Sequence, residues 1–272
     1  MSDRVEIQRD GDIAEVRLNR PDKHNGMDMA MLKAVISAGE SLAGDRDCRA
    51  VIVRGNGPSF CAGLDVGAMI GNKRNAAALM AELYKPWANL VQRWGLVWRE
   101  LPMPVIAAVH GNCFGAGIQL ALAADIRFAH PDARLSVMES KWGLIPDMSG
   151  VATLRELVPL DVAKELTMTG RILSGEQARE LGLVTHVADD PVAAARDLAA
   201  EISARSPDAV AAAKALLQEA WGQGESAVLA AERRYQRRII GRTNQRIAAK
   251  RNAEIAASED GQPVSRYAAR RA

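Results

Sequence analysis

Two glycine-rich turns constrain this chain more than any other feature. Ser59-Phe60-Cys61-Ala62-Gly63-Leu64-Asp65 and Gly111-Asn112-Cys113-Phe114-Gly115-Ala116-Gly117-Ile118-Gln119-Leu120 each follow an apolar, strand-like run and lead into helix-compatible sequence. A glycine-rich passage from strand to helix leaves bare backbone N–H groups at the helix start, where the dipole favours negative charge. Two such turns aimed at one ligand atom make an oxyanion hole, because preorganised donors in a dry site stabilise a carbonyl oxygen that is gaining charge. Taken singly, each is equally a tight turn with small residues for packing. Their joint occurrence with a carboxylate downstream, Glu139, favours the chemical reading.

With 272 residues and 48% hydrophobic content the chain can bury one substantial core. A net charge of +2 asks for neither nucleic acid nor an acidic membrane as partner. Cys48, Cys61 and Cys113 are odd in number and lack C-x-x-C spacing, and His24, His110, His130 and His186 show no ligand spacing. The expectation is therefore no disulfide framework, no metal and no redox cofactor. The charged first eleven residues lack an apolar signal core, and no run is long enough to span a bilayer, so a soluble cytoplasmic protein is expected.

Val5-Glu6-Ile7 and residues 13–18 alternate apolar with polar around Asp10-Gly11-Asp12 and read as a β-hairpin. Residues 27–43 read as a helix, and 50–54, 104–109, 126–129 and 134–137 as strands. Residues 76–99 read as one long helix carrying Leu83, Trp87, Leu90, Trp94 and Trp98 at helical spacing, most of them for core packing. Beyond residue 148 the chain turns helical over 151–157, 161–169, 175–181, 191–204 and 207–221, with Ser206 suited to cap the last and Pro207 to its first position. Strands alternating with helices, then helices alone, mean an α/β fold with a helical C-terminal region. We divide it into a core over 1–200 and a helical region over 201–272. The tail bears Arg233, Arg234, Arg237, Arg238, Arg242 and Arg246, which by default form a solvated helix face or a subunit contact. Glu232, Glu254, Glu259 and Asp260 interrupt it, against an RNA-binding role.

The two turns, Arg17-Leu18-Asn19-Arg20-Pro21, Ala124-Asp125-Ile126-Arg127, Glu139, Gly143-Leu144-Ile145-Pro146 and Ala178-Arg179-Glu180-Leu181-Gly182-Leu183-Val184 resemble, in order, the crotonase (enoyl-CoA hydratase/isomerase) superfamily over roughly residues 4–240. The resemblance implies a crotonase-like spiral of β-β-α turns, a helical C-terminal region that packs homotrimers or dimers of trimers, and an acyl-CoA thioester as substrate. It implies backbone N–H donors at Leu64 and Ala116, adenine contact around Cys61 and Ala62, a CoA phosphate at Lys23, and an acyl pocket touched by Met69, Ile70 and Trp87. Asp65 is expected to brace its loop.

Hydratases of that family carry a glutamate at the position of Gln119 and a second at Glu139; dienoyl-CoA isomerases carry an aspartate at the position of Asp147. This chain keeps Glu139 and Asp147 and has an amide at 119. Gln119 can orient a water or a carbonyl, but an amide does not exchange protons usefully near neutral pH. The expected activity is therefore proton-transfer isomerisation of an unsaturated acyl-CoA by Glu139 and Asp147. The alternatives are hydration of a 2-enoyl-CoA by Glu139 alone and a non-catalytic CoA-ester-binding protein. The competing structural reading has Asp147 cap the helix that follows, and a weaker one has Glu139 pair with Lys141.

Overall fold

The computed structural model describes residues 3–258 and 263–271; Glu259 and Asp260 of the tail lie outside the described residues, as do the extreme ends. Among the described residues the strands are β1 (Val5–Asp10), β2 (Ile13–Leu18), β3 (Ala50–Gly55), β4 (Val105–Val109), β5 (Asn112–Phe114), β6 (Ile126–Ala129), β7 (Arg134–Ser136) and β8 (His186–Val187). The helices are α1 (Met29–Ala43), α2 (Val66–Met69), α3 (Lys73–Glu82), α4 (Leu90–Arg99), α5 (Ala116–Ala123), α6 (Gly150–Leu157), α7 (Leu160–Thr169), α8 (Gly175–Glu180), α9 (Pro191–Ser203), α10 (Pro207–Ala220), α11 (Glu225–Ile239) and α12 (Thr243–Ala257).

The predicted hairpin forms, with Asp10 opposite Ile13. Its second strand begins a sheet in the order β1-β2-β3-β4-β6-β8, parallel from β2 onward. Because side chains alternate along a strand, β3 and β4 serve two cores. Val51, Val53, Val105, Ala107 and Val109 enter the large core with α1 and α4, while Ala50, Ile52, Ile106 and Ala108 meet Ala195 and Ala199 of α9. A second, smaller sheet pairs β5 with β7, and Cys61 bridges Cys113 beside it. That backbone bridge ties the two glycine-rich turns together, and the small sheet ties the second of them to the segment leading to Glu139.

The expected long helix over 76–99 is two helices. Pro86 denies the helix a donor and disfavours helical backbone at the preceding residue, so the chain opens between α3 and α4. Asn89 then restarts it with a capping box, its side chain accepting from the Gln92 N–H while the Gln92 side chain accepts from the Asn89 N–H. Trp94 and Trp98 are buried on α4 as expected, whereas Trp87 falls in the connection and is 69% exposed. The helical region docks through Lys214 of α10, whose Nζ donates to Asp125 Oδ2 at 2.7 Å and to the Met103 carbonyl at 3.1 Å.

The basic tail is more than a solvated face. After α12, residues 263–271 return to the core: the Arg270 N–H donates to the Arg46 carbonyl and its guanidinium to that of Asp45. The Tyr267 ring lies under the guanidinium groups of Arg49 and Arg251, 5.6 and 4.7 Å from its centroid.

One buried charge cluster yields a stability prediction. Glu15, inward on β2, accepts from Arg17 and Arg196 at 2.7 Å and from Arg54. Burial alone would lift its carboxyl, but the three guanidinium groups outweigh it and hold it down at about 2. A carboxyl depressed on folding contributes stability that is complete above its ordinary value of 4.5 and is lost as pH falls toward 2. Allowing for solvent screening at the half-exposed Arg196, Glu15→Gln is expected to lower stability by about 2 kcal/mol at pH 7 and to flatten the acid limb of a urea-melt series. An unchanged midpoint at pH 7 would contradict this account.

Candidate active site

The end of the first turn is held by a backbone bridge to Met27. Met27 N–H donates to the Gly63 carbonyl at 2.8 Å and its carbonyl accepts from the Asp65 N–H at 3.0 Å. In a parallel bridge the central residue's own groups face away, so Leu64 turns its N–H from Met27. On the other side of the turn lies the second one. A Cβ built on Gly63, which has φ +96°, would sit 2.8 Å from the Phe114 carbonyl oxygen and 3.8 Å from the Ala116 nitrogen, so only glycine permits this approach.

The second turn is held by its neighbours as well. Phe114 N–H donates to the Cys61 carbonyl and Gly115 N–H to the Ser136 carbonyl, both at 3.0 Å. Ala116 opens α5, and the buried Trp94 indole donates to its carbonyl at 2.8 Å. Periodicity assigned Trp94 to packing and carried no sign of this brace. The amides of Leu64 and Ala116 donate to no acceptor among the described residues. Asp65 braces its loop as expected, accepting from the Ala68 N–H at 3.0 Å and pairing with Arg20 at 2.9 Å. Those two partners keep its carboxyl below the usual range, Ala68 being the larger influence.

Glu139 stands where both turns meet. The Ser136 carbonyl is tied to Gly115, and three residues later Glu139 opens a short 3-10 turn, Glu139–Trp142. A Cβ built on Gly115 would be 3.5 Å from Glu139 Oε1 and 3.9 Å from the Gly63 Cα. The side chain is buried; Oε1 accepts from Gln119 Nε2 at 2.5 Å, while Oε2 has no partner among the described residues. Burial lifts the carboxyl above the ordinary range, the nearby charge of Asp147 adds to that, and hydrogen bonds from its own backbone and from Gln119 oppose it. No ion pair joins it to Lys141 among the described residues.

Gln119 is held by three contacts to the protein. Its Oε1 accepts from the Met148 N–H at 2.8 Å and the Gly150 N–H at 3.0 Å, which fills both lone pairs, and Nε2 is held on Glu139. Its oxygen is filled by protein, so that end of the side chain links protein segments, while the second Nε2 hydrogen has no acceptor among the described residues. Asp147 is exposed, yet the protein around its carboxyl desolvates it enough to raise it. It does not cap α6: the N-cap is Ser149, left-handed at φ 66° and without a side-chain cap bond.

The other expected contacts separate into two groups. Lys23 is exposed, and Ala62 is tied beside it by donating to the His24 carbonyl at 2.9 Å. Cys61 is fully enclosed, its N–H and carbonyl taken by Asn112 and Phe114, so of that pair Ala62 alone retains surface. Met69 is buried, whereas Ile70 is 45% exposed.

Chemically, two free amides, a buried carboxylate with one unpartnered oxygen and a second raised carboxyl are the groups that proton transfer next to a carbonyl would use. Residues 8–256 match the family model described as enoyl-CoA hydratase/isomerase. The chain is 35% identical over 203 residues to the mitochondrial delta(3,5)-delta(2,4)-dienoyl-CoA isomerase of Mus musculus, and 31% over 202 residues to the mitochondrial methylglutaconyl-CoA hydratase of the same organism. Each match takes in 72% of this chain and 62% of the relative, so the chain spans less than two thirds of those proteins. The crystal structure of an enoyl-CoA hydratase from Mycobacterium tuberculosis H37Rv superposes with a TM-score of 0.81 at 31% identity, covering 98% of this chain and 99% of that one. With the fold, the paired turns and these similarities in agreement, the chain belongs to the enoyl-CoA hydratase/isomerase family, within the crotonase superfamily.

Proposed function

We propose that this chain moves a double bond along an unsaturated acyl-CoA by carboxylate proton transfer. The observation that carries the reading is the pair Glu139 and Asp147: both carboxyls are raised, each within the other's loop neighbourhood, while position 119 holds an amide locked to the protein. The thioester oxygen accepts from the Leu64 and Ala116 amides, which stabilises the enolate formed when Glu139 Oε2 removes a proton. Asp147 donates a proton to the far carbon of the dienolate. Glu139 leaves the step protonated and Asp147 ionised; passing the proton from Glu139 to Asp147, directly or through solvent, restores the starting pair. Lys23 and Ala62 hold the CoA moiety, and Met69, Ile70 and Trp87 flank the acyl chain. The 35% identical dienoyl-CoA isomerase supports this choice. No cofactor is required, and self-association into trimers is expected.

The second reading is hydration of a 2-enoyl-CoA by Glu139 alone, which the methylglutaconyl-CoA hydratase relative favours. The test is mass spectrometry in heavy water with a 3,5-dienoyl-CoA and a 2-enoyl-CoA. Isomerisation gives a product that gains at most exchanged deuterium; hydration adds a whole heavy water. Asp147→Asn is expected to reduce dienoyl isomerisation by about 100-fold while α-proton exchange at Glu139 persists. Equal loss of both would make Asp147 structural, and binding without turnover of either ester would favour a CoA-ester-binding protein.

A further inference from the structure

We propose that Gln119 is a positioning residue: it clamps the Glu139 turn to the segment carrying Asp147 and leaves Glu139 Oε2 as the single proton-carrying oxygen of that side chain. Three segments distant in sequence meet at this amide. Gln119 lies on α5, Glu139 in the turn after β7, and Met148 and Gly150 at the entry to α6. The roles of the amide's two ends follow from its partners. Two backbone N–H groups can be met only by the oxygen, so the nitrogen must face the carboxylate. The clamp therefore pins Oε1 of Glu139 and tethers Asp147 through its neighbour Met148.

Gly150 is shaped for this contact. A Cβ there would lie 2.5 Å from Gln119 Oε1 and 2.9 Å from its Cδ, so any larger residue displaces the amide. Gln119 is itself 1% exposed, so water does not substitute for these bonds. The unpartnered Oε2 is the complement of the pinned Oε1: one oxygen is fixed by the protein and the other is left for chemistry. An acid at position 119 would act differently. Its first oxygen would remain ionised on the Met148 and Gly150 amides, and its second would face Glu139 Oε1 across a hydrogen-bond distance, so that the two carboxyls share one proton. The charged group reaching Glu139 from the facing loop is Asp147; Asp161, Lys164 and Glu165 of α7, which packs on the same turn, are exposed.

This inference takes its functional meaning from the proton-transfer reading, but its test needs no turnover. The measurement is a difference-infrared titration of the Glu139 carboxyl band, assigned by its loss in Glu139→Gln, in wild type, Gln119→Glu and Gly150→Ala. Gln119→Glu is expected to raise the midpoint by about 1 pH unit or more. Gly150→Ala leaves the number of charges unchanged and is expected to move the protonated band to higher frequency, as the donor to Oε1 withdraws, and to raise the midpoint by a smaller amount. If Gln119→Glu does not fold, Gly150→Ala carries the test alone. A band and midpoint identical to wild type in a folded variant would overturn the clamp. Shifted bands in a protein inert toward both acyl-CoA esters would uphold the clamp and reject the isomerase reading.

Discussion

Replacing Glu139 by glutamine is expected to lower turnover on an acyl-CoA substrate by about 10³-fold, with a melting temperature equal to or above that of wild type. The loss follows from geometry: the Glu139 carboxyl lies against the Gly115 turn, its Oε2 is without a partner among the described residues, and an amide at that point cannot take a proton. The stability follows from sign. A carboxyl raised on folding holds its proton to higher pH in the native state than in the unfolded chain, so ionising it above the native value costs stability. A neutral glutamine removes that cost, and its carbonyl can still accept from Gln119 Nε2. For the same reason, the acid limb of the wild-type rate profile should lie above the ordinary carboxylate value, since the base must first lose its proton. Thermal melts at pH 7 and kcat/KM from pH 4 to 8 check both statements; a fall in melting temperature matching the loss of rate would make Glu139 a structural residue.

Gly63→Ala is expected to be nearly as damaging, by a different route. The new methyl would lie 2.8 Å from the Phe114 carbonyl oxygen, a backbone atom, on a residue whose φ of +96° L side chains rarely adopt. The two turns must move apart, and the Leu64 and Ala116 amides lose their common focus. Loss of one oxyanion donor typically costs about 10²–10³-fold in kcat, and misalignment of both should reach that range with KM changed far less. Substituting a side chain on Leu64 itself should do much less, because the donor is its backbone. A Gly63→Ala enzyme with wild-type kcat would remove these turns from the chemistry.

Much of this was legible in the sequence because it depends on local rules. Alternation around Asp10-Gly11-Asp12 specifies the hairpin, the apolar runs before each glycine-rich turn specify β3 and β4, and Ser206-Pro207 specifies where α10 starts, its side chain accepting from the Ala209 N–H. The long-helix expectation failed at Pro86, where a local backbone restriction overrode a periodicity that continued on both sides. The candidate site residues were nameable, since the glycine-rich turns stand out in the sequence and the family resemblance pointed to Glu139, Asp147 and the donors at Leu64 and Ala116. What Gln119 does was not, because its partners Met148 and Gly150 lie 29 and 31 residues away and their N–H groups belong to backbone, which leaves no trace in residue type. The same holds for the Trp94 indole on the Ala116 carbonyl.

By itself, then, the sequence determined the hairpin, most of the central strands, α1 and the helices from α6 to α10, and which side chains can carry a proton. These follow from steric preference, hydrophobic period and functional-group chemistry, all readable one residue at a time. Only the tertiary structure decided that the two turns face each other beside Glu139, which oxygen of Glu139 is left open, and that Gln119 is occupied by protein. Those are set by the backbone bridge of Cys61 to Cys113, the pairing of β5 with β7 and the packing of α5 against the entry to α6, which bring distant backbone donors within hydrogen-bond reach.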